Sequence, residues 1–572
     1  MKKKVKKNGK QKSFFFEDYK ESEIVIDNKS NLAKVSLNRT TFLVLVFLSL
    51  IAIFCIKIIY LSLFPEKNVI FDKASSSLIK TRADILDRNG VILARNINIY
   101  SAGINPELVS DKKKLLINLK IIFPELNIKK KLYGNKFFYI KKRLTDEEKT
   151  KLWLLGNKAI IFNKKQFRIY PQKSLFSHTL GQIDDDNNGI SGVEKFFDSK
   201  LKNLQKTESP LILTLDSNLQ HLIRQELINA KSDFDSRGSA ALLMNANTGE
   251  ILSLVSLPDF DLNHRTLINE DMYTNKITLG VYELGSVFKT FTLAAALENK
   301  IIKSNTVFKN LESYLKCDKY KISEHDKLPK NLTAEQILIR SSNIGAVKIA
   351  QKIGKEKYSK FLNSLELFKK INFDLDEVGT PLSFRWGKCK LATSSYGPGI
   401  TTTPLQLAKA YSILGNGGYK INPYILKKDI KQITKGEKII STNTSNEINS
   451  ILRKVVSLDE GTANFANIEG YEVGGKTGTA LKYNSNERLN TFVSLFPTNR
   501  PQYVLLVMLD EPQPAPNFVY EFPPSEKFPK GFKHKGEKRN TSGWNTVVVA
   551  GKIIEKIGPI LAINNLQASK KF

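Results

Sequence analysis

The sequence predicts one membrane helix, a mixed spacer, and then a layered α/β (α+β) fold in which one sheet is covered by helices. Three observations predict it. A nearly unbroken apolar run, Phe42–Phe64, lies close to the N-terminus. Beyond Ser209, strand-like runs come first, helical patterns fill the middle to about Leu414, and strand-like runs return before a last helix. The length, 572 residues, argues for two or three domains rather than one core.

A bilayer core needs about 20 apolar residues, and the stretch 41–62 supplies them. Lys57 falls near one end, where it can snorkel, beside Tyr60 as an interfacial ring. The preceding tail, 1–40, carries Lys2, Lys3, Lys4, Lys6, Lys7, Lys10, Lys12 and Arg39. Positive charge stays on the cytoplasmic side, so a single-pass inner-membrane protein with its bulk outside is expected. A cleaved signal peptide is the competing reading. It should have a shorter apolar region and small residues at a cleavage site, whereas Pro65-Glu66-Lys67 follows here. Chemistry outside the cytoplasm runs without ATP or NAD.

The spacer, 63–207, opens with the turn signal Asp87-Arg88-Asn89-Gly90 between apolar residues, which reads as a hairpin. Helical stretches follow around Lys112–Ile122 and Thr145–Leu155. In the remainder, 208–572, strands are expected at Leu211–Leu215, Ala240–Met244, Ile251–Val255, Gly474–Ala480, Thr491–Phe496 and Tyr503–Leu509. Helices are expected at Leu219–Ala230 and Val547–Ile557, the latter stopped by Gly558-Pro559. The Pro- and Lys-rich stretch 511–540 reads as an exposed loop.

The formal charge of +32 would suit a nucleic acid, an anionic membrane or an acidic polymer. No zinc-finger spacing, RNP-type motif or phosphate-cradling glycine loop is present, and the lysines are spread along the whole chain. A lysine-rich composition bias is the simpler account, and no nucleic-acid partner is expected. The five histidines are scattered and no metal-ligand spacing occurs, so no metal and no cofactor are expected. Cys317 and Cys389 could pair in an oxidising compartment, but nothing suggests a cysteine framework and the reading leans against a bond.

Chemistry concentrates in three short motifs in a fixed order: Ser286-Val287-Phe288-Lys289, Ser341-Ser342-Asn343 and Lys476-Thr477-Gly478-Thr479. The first two types also occur elsewhere, at Ser77/Lys80, Ser110/Lys113, Ser199/Lys202 and Ser313/Lys316, and at Ser36/Asn38 and Ser441/Asn443. Order and local setting carry the signal. Gly285 precedes Ser286, and Val287–Leu297 reads as a helix, so Ser286 sits where free N–H groups favour a developing anion. Lys289 falls on the same face, three residues on. A serine hydroxyl needs a base, and a desolvated lysine near a second cation can be neutral enough to serve. Ser341 and Asn343 lie where a helix capped by Thr333 and Gln336 gives way to another. A hydroxyl there can relay a proton, and Asn343 can hold Lys289 and the substrate backbone. On a strand, Gly478 lets the backbone approach the serine helix closely. Lys476, Thr477 and Thr479 can bind a carboxylate, and the N–H groups of Ser286 and Thr479 can form an oxyanion hole.

This trio resembles that of penicillin-binding proteins and class A β-lactamases. Further matches extend the resemblance over nearly all of the chain past the anchor. Arg82–Ala94, Arg168–Pro171 and Gly189–Glu194 resemble the signatures of the class B non-catalytic domain, with Ala83 in place of the usual Gly. Tyr282-Glu283-Leu284-Gly285 resembles the lead-in to the serine, with Leu284 where Pro is common. Thr403–Ala408, Gly461-Thr462-Ala463 and Gly474–Ala480 also match. Ser341-Ser342-Asn343-Ile344-Gly345 and the Thr of Lys-Thr-Gly resemble the septum-building (FtsI) type more than the elongation type.

The resemblance implies a serine β-lactamase/transpeptidase-like fold with a central antiparallel sheet, on an elongated non-catalytic pedestal. It implies D,D-transpeptidation of peptidoglycan stem peptides: acylation of Ser286, Lys289 as base, Ser341 as relay, and β-lactams as acylating mimics. A membrane glycosyltransferase of the FtsW kind and other division proteins are the implied partners. An elongation-type enzyme, a D,D-carboxypeptidase or β-lactamase, and a catalytically idle division scaffold remain alternatives. Arg168, Gly192 and Glu194 read as packing rather than docking residues.

Overall fold

The computed structural model describes residues 29–63, 82–264, 270–318, 320–382, 385–429, 435–483, 485–522 and 529–569. The chain divides into two compact units, Met1–Ile79 and Lys80–Phe572. The first contains helix α1, Lys29–Leu63. Its segment Thr40–Ile59 has a mean hydropathy of 3.0, and these side chains are exposed all round. A helix that is apolar on every face and left exposed by the other described residues fits a single-pass membrane anchor. The basic tail Lys2–Lys12, Pro65-Glu66-Lys67, and the side chains of Arg39 and Tyr60 lie outside the described residues.

The second unit begins with a five-stranded sheet. Its strands are β1 (Ile85–Leu86), β2 (Ile92–Ile104), β3 (Phe138–Leu144), β4 (Ile160–Ile169) and β5 (Leu211–Ile212). The order is β3-β2-β1-β5, with β4 also on β2. The predicted hairpin joins β1 to β2, and Gly90 at φ +88° takes the left-handed position of its turn. Asp87 fixes that turn by accepting from the N–H groups of Asn89 and Val91. Helices α2 (Lys112–Ile122) and α3 (Asp146–Leu154) lie where the periodicity places them, and Thr145 with Glu148 forms a capping box for α3. Leu115, Leu119 and Leu152 bury into a separate core with Ile104, Ile140 and Leu144.

One carboxylate ties the base of this region together. Glu194 accepts from Arg82 at 2.9 Å and from Arg168 at 2.7 Å, with all three side chains almost fully buried. Arg82 also pairs with Asp198. Arg168 reaches back to the carbonyl of Ala83 and to Asn96. Gly192, at φ +61°, is pressed so close to Leu180 and Gly181 that a Cβ would clash with backbone. These are packing roles, in line with the sequence reading.

The remainder is built on a five-stranded antiparallel sheet of β6 (Gly238–Asn245), β7 (Ile251–Leu257), β10 (Gly474–Leu481), β11 (Arg488–Phe496) and β12 (Tyr503–Asp510), in the order β10-β11-β12-β6-β7. Strands β6, β7 and β12 are buried at nearly every position, so helices cover both faces. One helix group is α4 (Ser217–Phe234) with α11 (Thr546–Ser569). The other contains α5 (Lys289–Glu298), α9 (Pro404–Gly415) and α10 (Thr442–Ser457). Packed on this second group are α6 (Ala334–Ile339), α7 (Asn343–Ile353) and α8 (Lys390–Tyr396), with a small hairpin of β8 (Tyr314–Cys317) and β9 (Tyr320–Ser323) against α7.

Four expectations are corrected. The last helix does not stop at Gly558-Pro559 but runs through it. Pro559 sits on the exposed face, the carbonyl it leaves without a donor belongs to exposed Glu555, and buried Ile557 and Leu561 hold the turns on either side. Within 511–540, β13 (Ala515–Phe522) pairs with β14 (Phe532–Glu537). Its aromatics decide this, since Phe522 stacks on Phe532 at 4.2 Å and Tyr520 buries against Trp544. Of the strand expected at Leu211–Leu215, Leu211–Ile212 forms the strand and Leu213 adds a single bridge to Leu426. Cys317 and Cys389 form a disulfide with Cα atoms 5.7 Å apart, because the β8–β9 hairpin folds down onto α7 and α8.

Thiol titration of the denatured chain should therefore find one reactive cysteine, Cys55, without reductant and all three with it. Three thiols without reductant would remove the staple. Replacing Glu194 by Ala leaves two buried guanidinium groups uncompensated, and chemical denaturation should register a loss of about 3–5 kcal/mol.

Candidate active site

Ser286 lies in a tight 3₁₀ turn, Gly285–Phe288, that runs directly into α5. The sequence reading had the serine at the first turn of an α-helix; the structure has this tighter turn instead, opened by Gly285 at φ +65°. A Cβ at Gly285 would stand 2.6 Å from the carbonyl oxygen of Thr479, and one at Gly478 would stand 2.2 Å from that of Leu284. The serine turn and strand β10 thus touch backbone to backbone, at the glycine expected to permit it. Two buried tyrosines brace α5. Tyr411 donates to the carbonyl of Val287 at 2.8 Å, and Tyr358 shares a hydrogen bond with Thr292 at 2.9 Å.

Lys289, the first residue of α5, is buried. Its Nζ donates to the carbonyl of Ser341 and lies 3.1 Å from Ser341 Oγ. From β10, the buried Lys476 brings its Nζ to 2.9 Å from the same Oγ, and 3.2 Å from both the carbonyl and the hydroxyl of Thr477. Burial pulls Lys289 down to about 7, with the carboxylate of Glu324 working the other way. Burial, and then the charge of Lys289, hold Lys476 well below the usual lysine range. Two amines around one hydroxyl are disfavoured when both are charged. A hydroxyl with one proton can donate to a neutral amine while accepting from a charged one. The arrangement can therefore take up a proton on one side and deliver one on the other.

Ser341 sits at the join of α6 and α7 with φ +58°, in the left-handed region unusual for a residue with a side chain. Thr333 and Gln336 form the expected capping box at the start of α6. At α7, Ser342 Oγ accepts from Gly345 N, while Glu324 accepts from Ser342 Oγ and from the N–H groups of Asn343 and Ile344. Asn343 does not hold Lys289: its amide nitrogen donates to the carbonyl of Ser323 at 2.8 Å, and Lys289 donates to Ser341 instead. The amide oxygen of Asn343 is buried without a hydrogen-bond partner in this structure. Thr477 Oγ1 lies 3.0 Å from Thr462 Oγ1, and Thr479 Oγ1 accepts from Ser542 N.

The structure thus gathers Ser286, Lys289, Ser341, Asn343, Lys476, Thr477, Gly478 and Thr479 around one junction of α5, α7 and β10. Sequence reasoning missed Glu324, Thr462 as a partner of Thr477, and Tyr411. Thr462 stands in the Gly461-Thr462-Ala463 match, but its contact with Thr477 does not show in the sequence; Glu324 and Tyr411 carry no local signal, because each reaches the site through tertiary contact. Among the described residues no three His, Cys, Asp or Glu side chains gather as a metal site.

Comparison with known proteins agrees with this geometry. Residues 239–521 match the penicillin binding protein transpeptidase domain, and residues 79–209 the penicillin-binding protein dimerisation domain. The chain is 31% identical over 500 residues to a probable peptidoglycan D,D-transpeptidase FtsI of Caulobacter vibrioides, covering 84% of this chain and 82% of that one. It is 30% identical to the peptidoglycan D,D-transpeptidase FtsI of Buchnera aphidicola subsp. Baizongia pistaciae, covering 83% and 91%. In fold it is similar to penicillin binding protein 3 of Mycobacterium tuberculosis, with a TM-score of 0.62 at 21% identity, over 85% of this chain and 96% of that one. Matched across most of its length to such relatives, this chain belongs to the penicillin-binding protein family of peptidoglycan D,D-transpeptidases.

Proposed function

We infer that this chain cross-links peptidoglycan stem peptides at the division septum through an acyl-enzyme on Ser286. The observation that carries the reading is the convergence of Lys289 and Lys476 on Ser341 Oγ, beside the turn that presents Ser286. In the first half-reaction Ser286 Oγ attacks the carbonyl carbon of the penultimate D-Ala, and its proton passes to neutral Lys289. The N–H groups of Ser286 and Thr479 receive the oxyanion. The C–N bond to the terminal D-Ala then breaks, and the leaving amine takes a proton relayed through Ser341. Next, the amine of a neighbouring stem attacks the acyl ester, a new peptide bond forms, and Ser286 regains its proton. Lys476, Thr477 and Thr479 hold the terminal carboxylate, and the free amide oxygen of Asn343 accepts from the substrate backbone.

The peptide bond broken supplies the energy for the one formed, which suits a site outside the cytoplasm. In this reading residues 1–40 stay cytoplasmic, 41–62 cross the membrane, 63–207 act as pedestal and 208–572 carry the reaction. A membrane glycosyltransferase of the FtsW kind is the partner along the anchor. The septal assignment draws on the relatives named FtsI and on Thr477 in the Lys-Thr-Gly motif.

The detergent-solubilised chain should label with a fluorescent penicillin, with the adduct on the Ser286 peptide, and Ser286→Ala should abolish it. An adduct lost within seconds would point to a hydrolase, and none from a folded sample to a scaffold. Because Lys289 accepts the proton and is held near 7, its neutral form is lost as pH falls. The acylation rate constant should level off above that value and drop about tenfold per pH unit well below it. A flat profile in stopped-flow labelling would remove Lys289 as the base.

A further inference from the structure

Glu324 follows the end of β9 and is half-buried beside the site. Its two oxygens accept from Ser342 Oγ at 2.6 Å, Asn343 N at 2.7 Å and Ile344 N at 3.0 Å. Together these fix the backbone on which Ser341 and Asn343 stand, at the N-terminus of an 11-residue helix where a carboxylate is favoured. The neighbouring carbonyl, of Ser323, takes the side-chain amide of Asn343. A two-stranded hairpin is marginal by itself. This one is tied down by the Cys317–Cys389 disulfide and by Ile322 packed on Ile344 and Val347. The hairpin therefore carries, just past the end of its second strand, a carboxylate aimed at the catalytic junction.

We propose that Glu324 is a positioning residue for acylation, holding the Ser341–Asn343 backbone in register with Lys289 and supplying the negative charge that Lys289 faces. This rests on the reading of Lys289 as base. The charged and titratable groups around that amine are Glu324 and His325 just past β9, with Asp326 next to them, and Lys476 from β10. Arg488, on β11, also acts on His325. Among these, Glu324 is the carboxylate that acts on Lys289. Its charge favours the ammonium form against the larger effect of burial, so its loss should displace the acid limb of acylation. A carboxamide in its place could accept at one end only and would turn an N–H₂ group toward Asn343 N or Ser342.

The test is the pH profile of Ser286 labelling by a fluorescent penicillin on the full-length chain in detergent, for wild type, Glu324→Gln and Glu324→Asp, with thermal melting alongside. In the Gln variant the plateau should fall about tenfold, and the acid limb should move to lower pH, because Lys289 loses the charge that helps it keep a proton. In the Asp variant, whose charge is kept but drawn back, the limb should move the same way by less. A role confined to folding would lower the labelled fraction and the melting temperature and leave the limb in place. If the Gln variant does not melt cooperatively, the Asp limb decides. Limbs coincident with wild type would overturn the proposal while leaving Ser286 and Lys289 intact. A wild-type chain unlabelled at Ser286 would overturn both readings.

Discussion

Two lysine amines buried around one serine hydroxyl are the constraint on which the rest of this site depends. Removing an ammonium from water costs several kcal/mol even after relaxation. The fold meets that cost with fixed acceptors and with depressed proton affinity. Ser341 offers Lys289 both its carbonyl and its hydroxyl, and Thr477 offers Lys476 the same pair. Such geometry survives only if the elements carrying it cannot drift. Hence α5 is braced by two tyrosine hydroxyls, β10 is locked along its length to β11, and Thr477 leans on Thr462. The left-handed backbone at Ser341, which costs on the order of 1–3 kcal/mol, is held by the helices before and after it.

Backbone proximity is the second requirement, and it follows from the first. Lys476 reaches Ser341 because β10 lies directly against the serine turn, and that contact needs hydrogen at Gly285 and Gly478. An added methyl at either would meet carbonyl oxygen well inside contact distance. The glycines in these motifs are thus as much a part of the geometry as the lysines: they set how far apart the amines and Ser286 stand.

This explains what was legible in the sequence. Motif residues whose job is local were readable, because local physics restricts them: the box at Thr333 and Gln336, the turn at Asp87–Gly90, the approach at Gly478. The order of strands and helices followed from periodicity. Residues that act across the fold left no such trace. Glu324 is one acidic residue in an unremarkable stretch until the hairpin places it under α7. The Cys317–Cys389 bond depends on a distance that sequence separation does not encode. Proline and lysine content hid the β13–β14 hairpin, whose aromatic packing outweighs its polar composition, and Pro559 was read as a stop although its lost hydrogen bond falls on the solvent side. Asn343 was expected to hold Lys289 as well as the substrate backbone; its amide nitrogen instead anchors the hairpin.

The spacer bears on the site through a continuous path rather than through a flexible joint. Strand β1 pairs in parallel with β5, and Asp87 accepts from Ser217 N at the start of α4 while Asn89 donates to Asp216, the cap of that helix. Helix α4 packs on β6 and β7, β6 pairs with β12, and the ladder continues through β11 to β10 and Lys476. At the other end, Glu194 fixes Arg82, just ahead of β1, and Arg168, at the end of β4. Buried charge is a costly way to hold strands together, and apolar side chains of similar size would often serve stability as well. What a carboxylate shared by two guanidinium groups adds is direction. Its hydrogen bonds are satisfied in one arrangement of the two arginines, and that arrangement sets the register in which the spacer meets the first helix of the catalytic layer.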